Sequence, residues 1–545
     1  MRIGLLLDQL TVDAWVTDIV DYVQGHDQLE LCLVVQDGST RSQARPRGLW
    51  ERLQSNHALY YRLMSIDGKR AASIGCVDKL VDLTKSLAGV SVISVVPESD
   101  ETGARLGSND VDQLRAANLD VLLQLGFSDL CGDVFDVAQY GVWNYYHGDT
   151  DDYRGECPGF WEVYDHNPVS GVTLQLLESS QGGGRPLSKT YVRTHPTSPR
   201  INLARQQETG TILFRRAIEK LLRNRPSPEV FRSEHLLASK PYEKPLSGKP
   251  TNRQMLMFGS RVMFRSIAGK LMGVSRPVQW SVGVWPHDTS SLHGRTIEAI
   301  DWYEPRPDHF IADPCAIERD GKLYLFVEEY VYKKQKAHLS VMEYDSQTGF
   351  SEPRKILELD CHLSFPYVFE DNGTYYMIPE QLQSGQVVLY RCEDFPDLWV
   401  RDCVLLDDFH GADTVVFRHD GLYWMFTTNG RAGNWDSNLH LLMAEELRGP
   451  YVTHPQTPVN ITLYGSRMAG PILNMNGRHI RPGQNCVNKY GGSLVLHEIT
   501  TLTPDRYEER VIGEVRPNPT DNFGEALHTI SMLPTQTVVD GLRYL

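Results

Sequence analysis

The sequence predicts an α/β domain followed by an all-β five-bladed β-propeller, with a helical and proline-rich connection between them. The first prediction rests on continuous apolar runs that alternate with helix-like stretches. The second rests on a turn motif that recurs along the carboxy-terminal half. We place the α/β domain at residues 1–195, the connection at 196–275 and the propeller at 276–545. A chain of 545 residues is too long for one hydrophobic core, which favours this division.

The α/β domain is predicted from four short runs of β-type apolar residues. These runs lie at residues 3–7, 29–35, 90–96 and 121–125. Continuous rather than alternating hydrophobicity is typical of parallel strands that are buried on both faces. The Gly-x-Gly-x-x-Gly fingerprint of dinucleotide-binding sheets does not follow the first run, so the sheet by itself indicates no cofactor.

The connection begins with a predicted helix and continues with a linker. Residues 203–223 have the apolar spacing of an amphipathic helix. Five prolines follow within residues 226–250, a density that no regular element tolerates. We therefore expect the two domains to separate in this stretch.

A basic amphipathic segment follows the linker at residues 253–274. It contains four cationic residues, no acidic residue and many large apolar side chains. One interpretation is a helix that docks between the domains, where the acidic remainder of the protein offers partners. The other is a helix that lies on an anionic bilayer and gives peripheral membrane contact.

The propeller is predicted from an Asn-Gly or Asp-Gly dipeptide that recurs beside aromatic-rich strands. The glycines of these dipeptides are Gly321, Gly373, Gly421, Gly477 and Gly541, spaced 48 to 64 residues apart. Such dipeptides favour two-residue hairpin turns, and the spacing is that of one four-stranded blade. Five turns predict five blades, and residues 280–285 are expected to supply a strand that closes the ring. A two-sheet sandwich is the alternative architecture.

Composition excludes a protein whose main task is binding nucleic acid, because the formal net charge is −15. Nine cysteines without a Cys-x-x-Cys pair indicate neither a disulfide framework nor a zinc site, and they favour a reducing compartment. The amino terminus lacks a signal-peptide pattern and no long uncharged apolar run occurs. We therefore expect a cytoplasmic protein, membrane-peripheral if the basic segment binds lipid, of unspecified oligomeric state.

Candidate catalytic residues crowd together after the predicted strand that ends near residue 126. Asn144, His147 and Asp149 fall within six positions. An Asn amide can donate to a developing oxyanion while a nearby His moves a proton, and acyl transfer to an amine requires both functions. The alternative is a polar loop at a strand end that makes only structural hydrogen bonds.

The same segment resembles the folate-dependent N-formyltransferase family. The resemblance rests on Asn144, Arg154-Gly155, Pro158, Trp161 and Ser170-Gly171-Val172-Thr173. It implies a Rossmann-like formyltransferase fold, one-carbon transfer from 10-formyltetrahydrofolate, and Tyr146 and Arg154 as substrate-binding residues. Two departures affect the expected activity. Tyr146 occupies the position of the family's His, with His147 one place later. Gly182 stands where the family has a carboxylate, which Asp149 would have to replace.

The propeller region resembles five-bladed propellers of glycoside hydrolases and the N-terminal domain of glucosamine inositolphosphorylceramide transferase. The features that carry this resemblance are Ala312-Asp313-Pro314, Ser364-Phe365-Pro366, Ser466-Arg467-Met468-Ala469-Gly470, Arg481-Pro482-Gly483-Gln484 and Gly491. The implied substrate-binding residues are Asp313, Asp413, Glu380, Arg467, Arg481, Gln484 and His528. Of these, Asp313, Asp413 and His528 stand at the starts of their repeats and are expected to converge at one mouth of the channel. The hydrolases further imply a base at Asp313, a tuning carboxylate at Asp413 and an acid at Glu329 or Glu380.

Three functional hypotheses follow. The first is a transferase that modifies a nucleotide- or lipid-linked amino sugar in glycan or glycolipid biosynthesis, with the propeller binding glycan. The second is a catalytically eroded carbohydrate-binding or scaffold protein, and the third is a glycoside hydrolase in the propeller. No metal is expected, because His410, Asp413 and His419 lack a recognised metal-binding spacing.

Overall fold

The computed structural model describes ten stretches of the chain. They are residues 1–39, 56–73, 80–100, 103–127, 130–178, 184–237 except 235, 246–271, 278–285, 300–430 and 434–545. The chain divides between Met263 and Phe264 into two compact units, called here the first and second unit. The first unit therefore includes most of the segment 196–275 that the sequence led us to treat as a connection.

The first unit contains twelve described strands and seven described helices. The strands are β1 (Arg2–Leu7), β2 (Thr11–Asp13), β3 (Glu30–Asp37), β4 (Leu80–Asp82), β5 (Ser91–Val95), β6 (Glu98–Asp100), β7 (Gly103–Arg105), β8 (Val121–Gln124), β9 (Leu130–Cys131), β10 (Val142–Tyr146), β11 (Val169–Leu176) and β12 (Arg185–Arg193). The helices are α1 (Ala14–Gly25), α2 (Ala58–Ser73), α3 (Ser108–Ala116), α4 (Trp161–Asp165), α5 (Pro199–Asn224), α6 (Pro228–Glu234) and α7 (Asn252–Leu271), the last of which crosses into the second unit.

A seven-stranded sheet organises the first unit in the order β12-β11-β10-β8-β1-β3-β5. The five strands from β10 to β5 run parallel, while β11 and β12 continue the sheet antiparallel. In chain order the parallel strands are arranged 3-2-1-4-5, which is the Rossmann order 3-2-1-4-5-6 without its sixth strand. All four strands predicted from the apolar runs are present, so the predicted wound α/β sheet is confirmed.

Helices cover both faces of this sheet. On one face α1 turns Trp15, Ile19 and Val23 inward, and it packs beside the long helix α5. The chain enters α5 through a cap in which Ser198 Oγ accepts the backbone N–H of Ile201 at 3.1 Å. On the other face, α3 buries Val111 in a cluster with side chains of β1, β8 and β10. This two-sided cover explains the continuous apolar runs of the central strands β1 and β8.

Besides the end of α7 and a short 3-10 helix (Leu382–Ser384), the described part of the second unit contains the strands from β13 onwards. They are β13 (Val278–Trp285), β14 (Asp301–Trp302), β15 (His309–Arg319), β16 (Lys322–Val331), β17 (Lys336–Asp345), β18 (Gly349–Phe350), β19 (Arg354–Leu357), β20 (Ser364–Asp371), β21 (Thr374–Glu380), β22 (Val387–Asp394), β23 (Leu398–Leu406), β24 (Gly411–His419), β25 (Leu422–Asn429), β26 (Leu439–Ala444), β27 (Val452–Thr453), β28 (Tyr464–Met468), β29 (Leu473–Met475), β30 (Arg478–Asn485), β31 (Ser493–Leu502), β32 (Tyr507–Val515), β33 (Ile530–Met532) and β34 (Thr537–Tyr544).

These strands form five antiparallel sheets, one per blade, so the predicted five-bladed propeller is confirmed. Blades 1 to 4 begin with β15, β20, β24 and β28, and blade 5 has the order β14-β13-β34-β33. In blade 5 the predicted closing strand β13 pairs antiparallel with β34 from Val278–Tyr544 to Trp285–Thr537. Pairing of the first strand with the last completes blade 5 and thereby closes the ring of blades.

Four of the five predicted turn motifs are hairpin turns. In Asp320-Gly321, Asn372-Gly373, Asp420-Gly421 and Asn476-Gly477 both residues have positive φ, as a two-residue hairpin requires. The fifth motif, Asp540-Gly541, was assigned wrongly, because it lies within β34. A Cβ at Gly541 would approach the Phe523 carbonyl oxygen and the Trp302 ring to 2.5 Å, so glycine serves close packing there. Five blades are present as predicted, but the turn motif marks a hairpin in only four of them.

A bulge interrupts the innermost strand of each of blades 1 to 4. Pairing is irregular between Ala312 and Cys315, between Ser364 and Tyr367, between Ala412 and Val415 and between Tyr464 and Met468. Within these bulges Asp313, Phe365, Asp413 and Gly465 have positive φ. A bulge redirects side chains that regular pleating would place against a neighbouring blade. The bulges therefore set which residues face the propeller centre.

Within the described residues, the helices are too short or too polar to cross a membrane. The longest is α5, whose 26 residues include charged side chains along its length.

Substitution of Gly541 is expected to destabilise the second unit more than substitution of a turn glycine. Gly541→Ala forces a methyl group against backbone and an indole ring, which costs about 2–3 kcal/mol. Gly321→Ala introduces only an unfavourable φ in open space and costs about 1 kcal/mol. Denaturant unfolding of both variants followed by tryptophan fluorescence checks the order, and equal midpoints would contradict it.

Candidate functional site

The carboxyl end of β10 places Asn144 in a row of amide side chains. Asn144 is in register with Gln124 on β8 and with Gln175 on β11, so all three lie on one face of the sheet. Gln124 and Gln175 are buried, and the Oδ1 of Asn144 is buried without a hydrogen-bond partner among the described residues. An unpaired buried polar atom at this edge is available to a ligand.

His147 lies on the opposite face of the sheet from Asn144. Its ring stacks on that of Tyr145 at a centroid distance of 6.0 Å and meets the Trp15 ring edge-on at 5.6 Å. Burial without a charged partner lowers the pKa of the imidazole to about 4, so the ring is neutral at pH 7. Its Nε2 has no hydrogen-bond partner within the described part of the chain. His147 is therefore a neutral, weakly basic ring with an unoccupied acceptor atom, and it does not share a face with Asn144.

Asp149 does not replace the carboxylate that would hold His147, because it binds other side chains. The carboxylate accepts hydrogen bonds from Lys189 Nζ at 2.9 Å and from the Tyr191 hydroxyl at 2.8 Å. Burial alone would raise the pKa of this carboxyl, but the bonds from Lys189, Asp151 N–H and Tyr191 outweigh it and lower the pKa. Asp149 is thus ionised and held by β12.

Tyr146 and Arg154 lie close to the same strand end. Tyr146 is the last residue of β10 and pairs with Thr173, whose hydroxyl donates to the Gly148 carbonyl oxygen at 2.9 Å. Arg154 Nε donates to the Thr150 carbonyl oxygen at 2.7 Å. Their predicted substrate-binding role stays a prediction.

One other feature of the resemblance can be placed, and one cannot. The glycine of the Arg-Gly motif allows close approach of another backbone segment, since a Cβ at Gly155 would lie 2.1 Å from the Ser247 carbonyl oxygen. Residues 179–183, which include the position of the family's carboxylate at Gly182, lie outside the described residues.

At the propeller centre, Arg467 binds two carboxylates from neighbouring blades. Its Nε and Nη2 donate to Asp413 at 2.6 and 3.1 Å, and Nη2 also donates to Glu380 at 3.1 Å. Gln484 Nε2 donates to the same Asp413 oxygen as Nε at 2.8 Å. Burial raises the pKa of Asp413 well above its usual range, with Glu380 adding to the effect and Arg467 opposing it. Four predicted residues therefore meet here.

A second cluster joins the first blade to the last. His528 Nε2 lies 2.9 Å from Asp313 Oδ1, and its Nδ1 lies 2.8 Å from Asp540 Oδ2. Burial would lower the pKa of the imidazole, but the two carboxylates raise it well above its usual range. Burial likewise opposes ionisation of Asp313, yet His528 and the Phe365 N–H lower the pKa of this carboxyl to about 2. The cluster is a protonated histidine between two carboxylates.

These three buried residues are also a group whose ligand atoms lie within 4.8 Å of one another. The two ring nitrogens of His528 contact different carboxylates, from opposite edges of the ring. A metal ion would need one nitrogen and both carboxylates to converge on a single point. The arrangement therefore fits an imidazolium better than an ion.

Tyr490 connects the two clusters, and sequence reasoning missed it. The Arg467 guanidinium lies 5.3 Å from the centre of the Tyr490 ring, and the His528 ring lies 5.4 Å from it on another side. Tyr490 is nevertheless 38% exposed, so it presents an aromatic surface to solvent above the buried charges. Asp540 was missed as well because its Asp-Gly dipeptide was interpreted as a turn.

Two adjacent glutamates on β16 differ in their environment. Glu328 lies 3.2 Å from His362, and burial raises the pKa of its carboxyl to about 7. Burial also acts on Glu329, but hydrogen bonds from His338 and Ser340 lower the pKa of that carboxyl. A general acid must be protonated near neutral pH, so Glu329 does not fit the acid role that the sequence considered, and Glu328 was overlooked.

Arg481 lies away from the central clusters. Its guanidinium donates to both oxygens of Glu509 at 2.7 and 2.8 Å and to the Gly465 carbonyl oxygen at 2.8 Å. The side chain is fully buried inside blade 4. These contacts serve blade packing, and the structure does not bring Arg481 together with the other predicted binding residues.

Replacement of His528 is expected to change how the free energy of unfolding depends on pH. In the wild type, the lowered pKa of Asp313 stabilises the fold above pH 3.8, and this contribution is lost as the pH falls through about 2. The raised pKa of His528 stabilises the fold below pH 6.5, and this contribution is lost only at a pH far above 6.5. His528→Gln leaves two buried carboxylates without a cation and costs about 3–5 kcal/mol at pH 7.

Because unpaired carboxylates favour protonation, the variant is expected to gain stability relative to the wild type as the pH falls from 7 to 4.5. Urea unfolding at both pH values measures this difference. His410→Gln, which removes one contact to the Leu382 carbonyl oxygen, is the control. A variant with the wild-type pH profile would contradict the assignment of His528 as an imidazolium.

Comparison with known proteins bears out both resemblances. Residues 280–520 match the family model described as glucosamine inositolphosphorylceramide transferase 1, N-terminal. Glucosamine inositolphosphorylceramide transferase 1 of Oryza sativa subsp. indica is 30% identical over 208 residues, which is 37% of this chain and 28% of that protein. The Arabidopsis thaliana protein of the same name is 29% identical over 208 residues, with 37% and 27% covered.

A second similarity is shorter and weaker. Methionyl-tRNA formyltransferase of Agathobacter rectalis is 26% identical over 106 residues, 19% of this chain and 31% of that protein. The matches span less than a third of the length of all three relatives. The chain thus contains a propeller homologous to the N-terminal domain of glucosamine inositolphosphorylceramide transferase 1, together with a shorter similarity to methionyl-tRNA formyltransferases.

Proposed function

We propose that this protein is a transferase of glycan or glycolipid biosynthesis that formylates an amino sugar. In this proposal the first unit transfers a formyl group from 10-formyltetrahydrofolate to the sugar amine. The second unit holds the nucleotide- or lipid-linked glycan that carries the sugar. The names of the relatives support a glucosamine-containing glycolipid on one side and formyl transfer on the other.

The observation that carries the proposal is the pair of unpartnered atoms at the end of β10. Asn144 Oδ1 and His147 Nε2 are buried without hydrogen-bond partners among the described residues. Buried polar atoms in this condition cost free energy unless a ligand satisfies them. They lie at the carboxyl end of a parallel strand, which is where open α/β sheets bind ligands.

These residues supply the chemistry of the step. The sugar amine attacks the formyl carbon, a new C–N bond forms, and the bond from that carbon to the folate nitrogen breaks. The side-chain N–H of Asn144, on Nδ2, donates to the oxygen that becomes negative during attack, and the unpartnered Oδ1 accepts an N–H of the attacking amine. His147, which is neutral at pH 7 and lies on the other side of the strand from Asn144, takes the proton that the amine loses. The imidazolium then gives this proton to the departing folate nitrogen, which restores the neutral ring.

The propeller is proposed to bind rather than cleave glycan, because its carboxylates are already engaged. Arg467 and Gln484 hold Asp413, while His528, Thr529 and the Phe365 N–H hold Asp313. A general base must be free to accept a proton from water. Polar groups beneath the exposed ring of Tyr490 instead suit sugar hydroxyls and a sugar face.

A second candidate, a binding protein without transfer activity, is favoured by a separate observation. His147 and Asn144 lie on opposite faces of β10, and Asp149 is bound to Lys189 and Tyr191. The catalytic trio considered from sequence is therefore not assembled on one surface. If this candidate is right, the propeller binds glycan and the first unit positions it.

Replacement of Asn144 is expected to abolish formyl transfer while preserving the fold. Asn144→Ala removes an oxyanion donor, which typically lowers kcat by about 100- to 1,000-fold. The full chain is assayed with 10-formyltetrahydrofolate and glucosamine-containing acceptors, with formylated product detected by mass spectrometry. Asn224→Ala, an exposed substitution at the end of α5, is the matched control. Wild-type turnover in Asn144→Ala would refute the site, and no turnover or folate binding by the wild type would favour the second candidate.

Replacement of Tyr490 is expected to weaken glycan binding whichever candidate is right. Tyr490→Ala removes the aromatic surface over Arg467 and should reduce affinity at least tenfold on an array of glucosamine and N-acetylglucosamine glycans. Tyr544→Ala, 42% exposed at the chain end, provides the control. Unchanged binding would place the glycan elsewhere on the propeller.

A further inference from the structure

We propose that the exposed face of α7 binds an anionic lipid surface. The observations that carry this inference concern one helix and its neighbour α2, and they are independent of the transfer reaction. The proposal commits to a bilayer surface as the partner, and other partners are outcomes of the test below.

One face of α7 is buried within the first unit. Met255, Phe258 and Val262 pack with Phe160 and neighbouring side chains of α2 and α4. Their spacing of three and four residues is that of one helix face. The helix is therefore held on its support, and the opposite face needs no rearrangement to reach solvent.

The opposite face carries large apolar side chains exposed to solvent. Leu256 is 66% exposed, Met257 39%, Met263 59% and Phe264 70%. Scattered exposed apolar residues are common on soluble proteins, but four within nine positions of one helix form a patch. Such a patch costs free energy in water and indicates a partner.

Charge on this helix identifies the partner as anionic. Arg253 and Arg261 are exposed, and the sequence of α7 contains no acidic residue. The Arg261 guanidinium lies 4.9 Å from the centre of the Tyr164 ring, which holds the cation beside the apolar patch. The whole chain carries a net charge of −15, so its acidic surface repels an anionic bilayer. The cationic face of α7 is instead expected to attract it.

Helix α2 extends the cationic surface next to α7. The Asn252 N–H donates to the Asn56 carbonyl oxygen at 2.6 Å, and Leu59 N–H donates to Asn252 Oδ1 at 2.9 Å, so the two helices begin side by side. Exposed cationic residues of α2 are Arg62, Lys69 and Arg70. The acidic side chain of α2, Asp67, accepts the Arg200 N–H at 2.9 Å.

Apolar residues and arginines without carboxylates on one helix face are typical of helices that lie in the membrane interface. Apolar side chains enter the headgroup region while the arginines pair with lipid phosphates. A protein groove would be expected to meet carboxylates or amides that fix its orientation, and these are absent from the described exposed face of α7. A lipid surface fits this chemistry better.

Co-sedimentation of the full-length protein with vesicles tests the proposal. The protein is expected to bind vesicles of 70% phosphatidylcholine and 30% phosphatidylserine more tightly than pure phosphatidylcholine, and to dissociate as salt is raised. Arg253→Glu with Arg261→Glu should lower the partition coefficient at least 25-fold, since each cation near the surface contributes about fivefold. Leu256→Ser with Phe264→Ser should lower it at least tenfold.

Two control pairs match these changes on the propeller. Lys333→Glu with Arg418→Glu makes the same charge change at exposed positions, and Leu398→Ser with Val511→Ser makes the same apolar change at side chains 49% and 52% exposed. Both controls should bind as the wild type does. Absence of wild-type binding, or equal loss in controls and α7 variants, would overturn the proposal. A change in oligomeric state with the α7 variants, without vesicle binding, would assign the face to a protein contact instead.

Discussion

Two buried ion pairs hold the centre of the propeller, and the rest of the second unit is arranged around them. Arg467 of blade 4 binds Asp413 of blade 3, and His528 of blade 5 binds Asp313 of blade 1. Innermost strands that each bring a carboxylate to one axis would repel one another without such cations. Because each pair joins two blades, the electrostatic requirement also fixes neighbouring blades in register. The pair between Asp313 and His528 joins the first blade to the last, whereas the pairing of β13 with β34 joins the two ends of the propeller chain within blade 5.

This arrangement limits what the propeller can do. Asp313 is a poor proton acceptor because it is paired with the His528 imidazolium and accepts further hydrogen bonds, and its pKa of about 2 expresses this. Such a centre is rigid and polar, which suits recognition of a ligand with many hydroxyl groups. Glu328, with a pKa near 7, could exchange a proton at neutral pH, but it is paired with His362. The geometry therefore favours binding over hydrolysis.

The fold was largely predictable because its signals are local. Continuous apolar runs specify buried parallel strands, and Asp-Gly or Asn-Gly dipeptides specify hairpin turns through φ alone. The turn prediction at Gly541 was wrong because glycine is required there by close contact with Phe523 and Trp302, which are remote in sequence. The site was predictable only in part for the same reason. Asp413, Arg467 and Gln484 were identified through resemblance, whereas Tyr490 and Asp540 matter through contacts that no sequence pattern records.

The position of His147 shows how a small change in sequence alters a site. Side chains of a strand alternate between faces, so a histidine two residues after Asn144 shares its face and one three residues after it does not. Rotamer changes cannot return the ring, because it packs between Trp15 and Tyr145. A transfer reaction at this strand end must therefore use Asn144 and His147 from different sides of the strand, or rely on Asn144 without the imidazole. In the second case His147 is part of the packing between α1 and the sheet, and its low pKa follows from that burial rather than from catalysis.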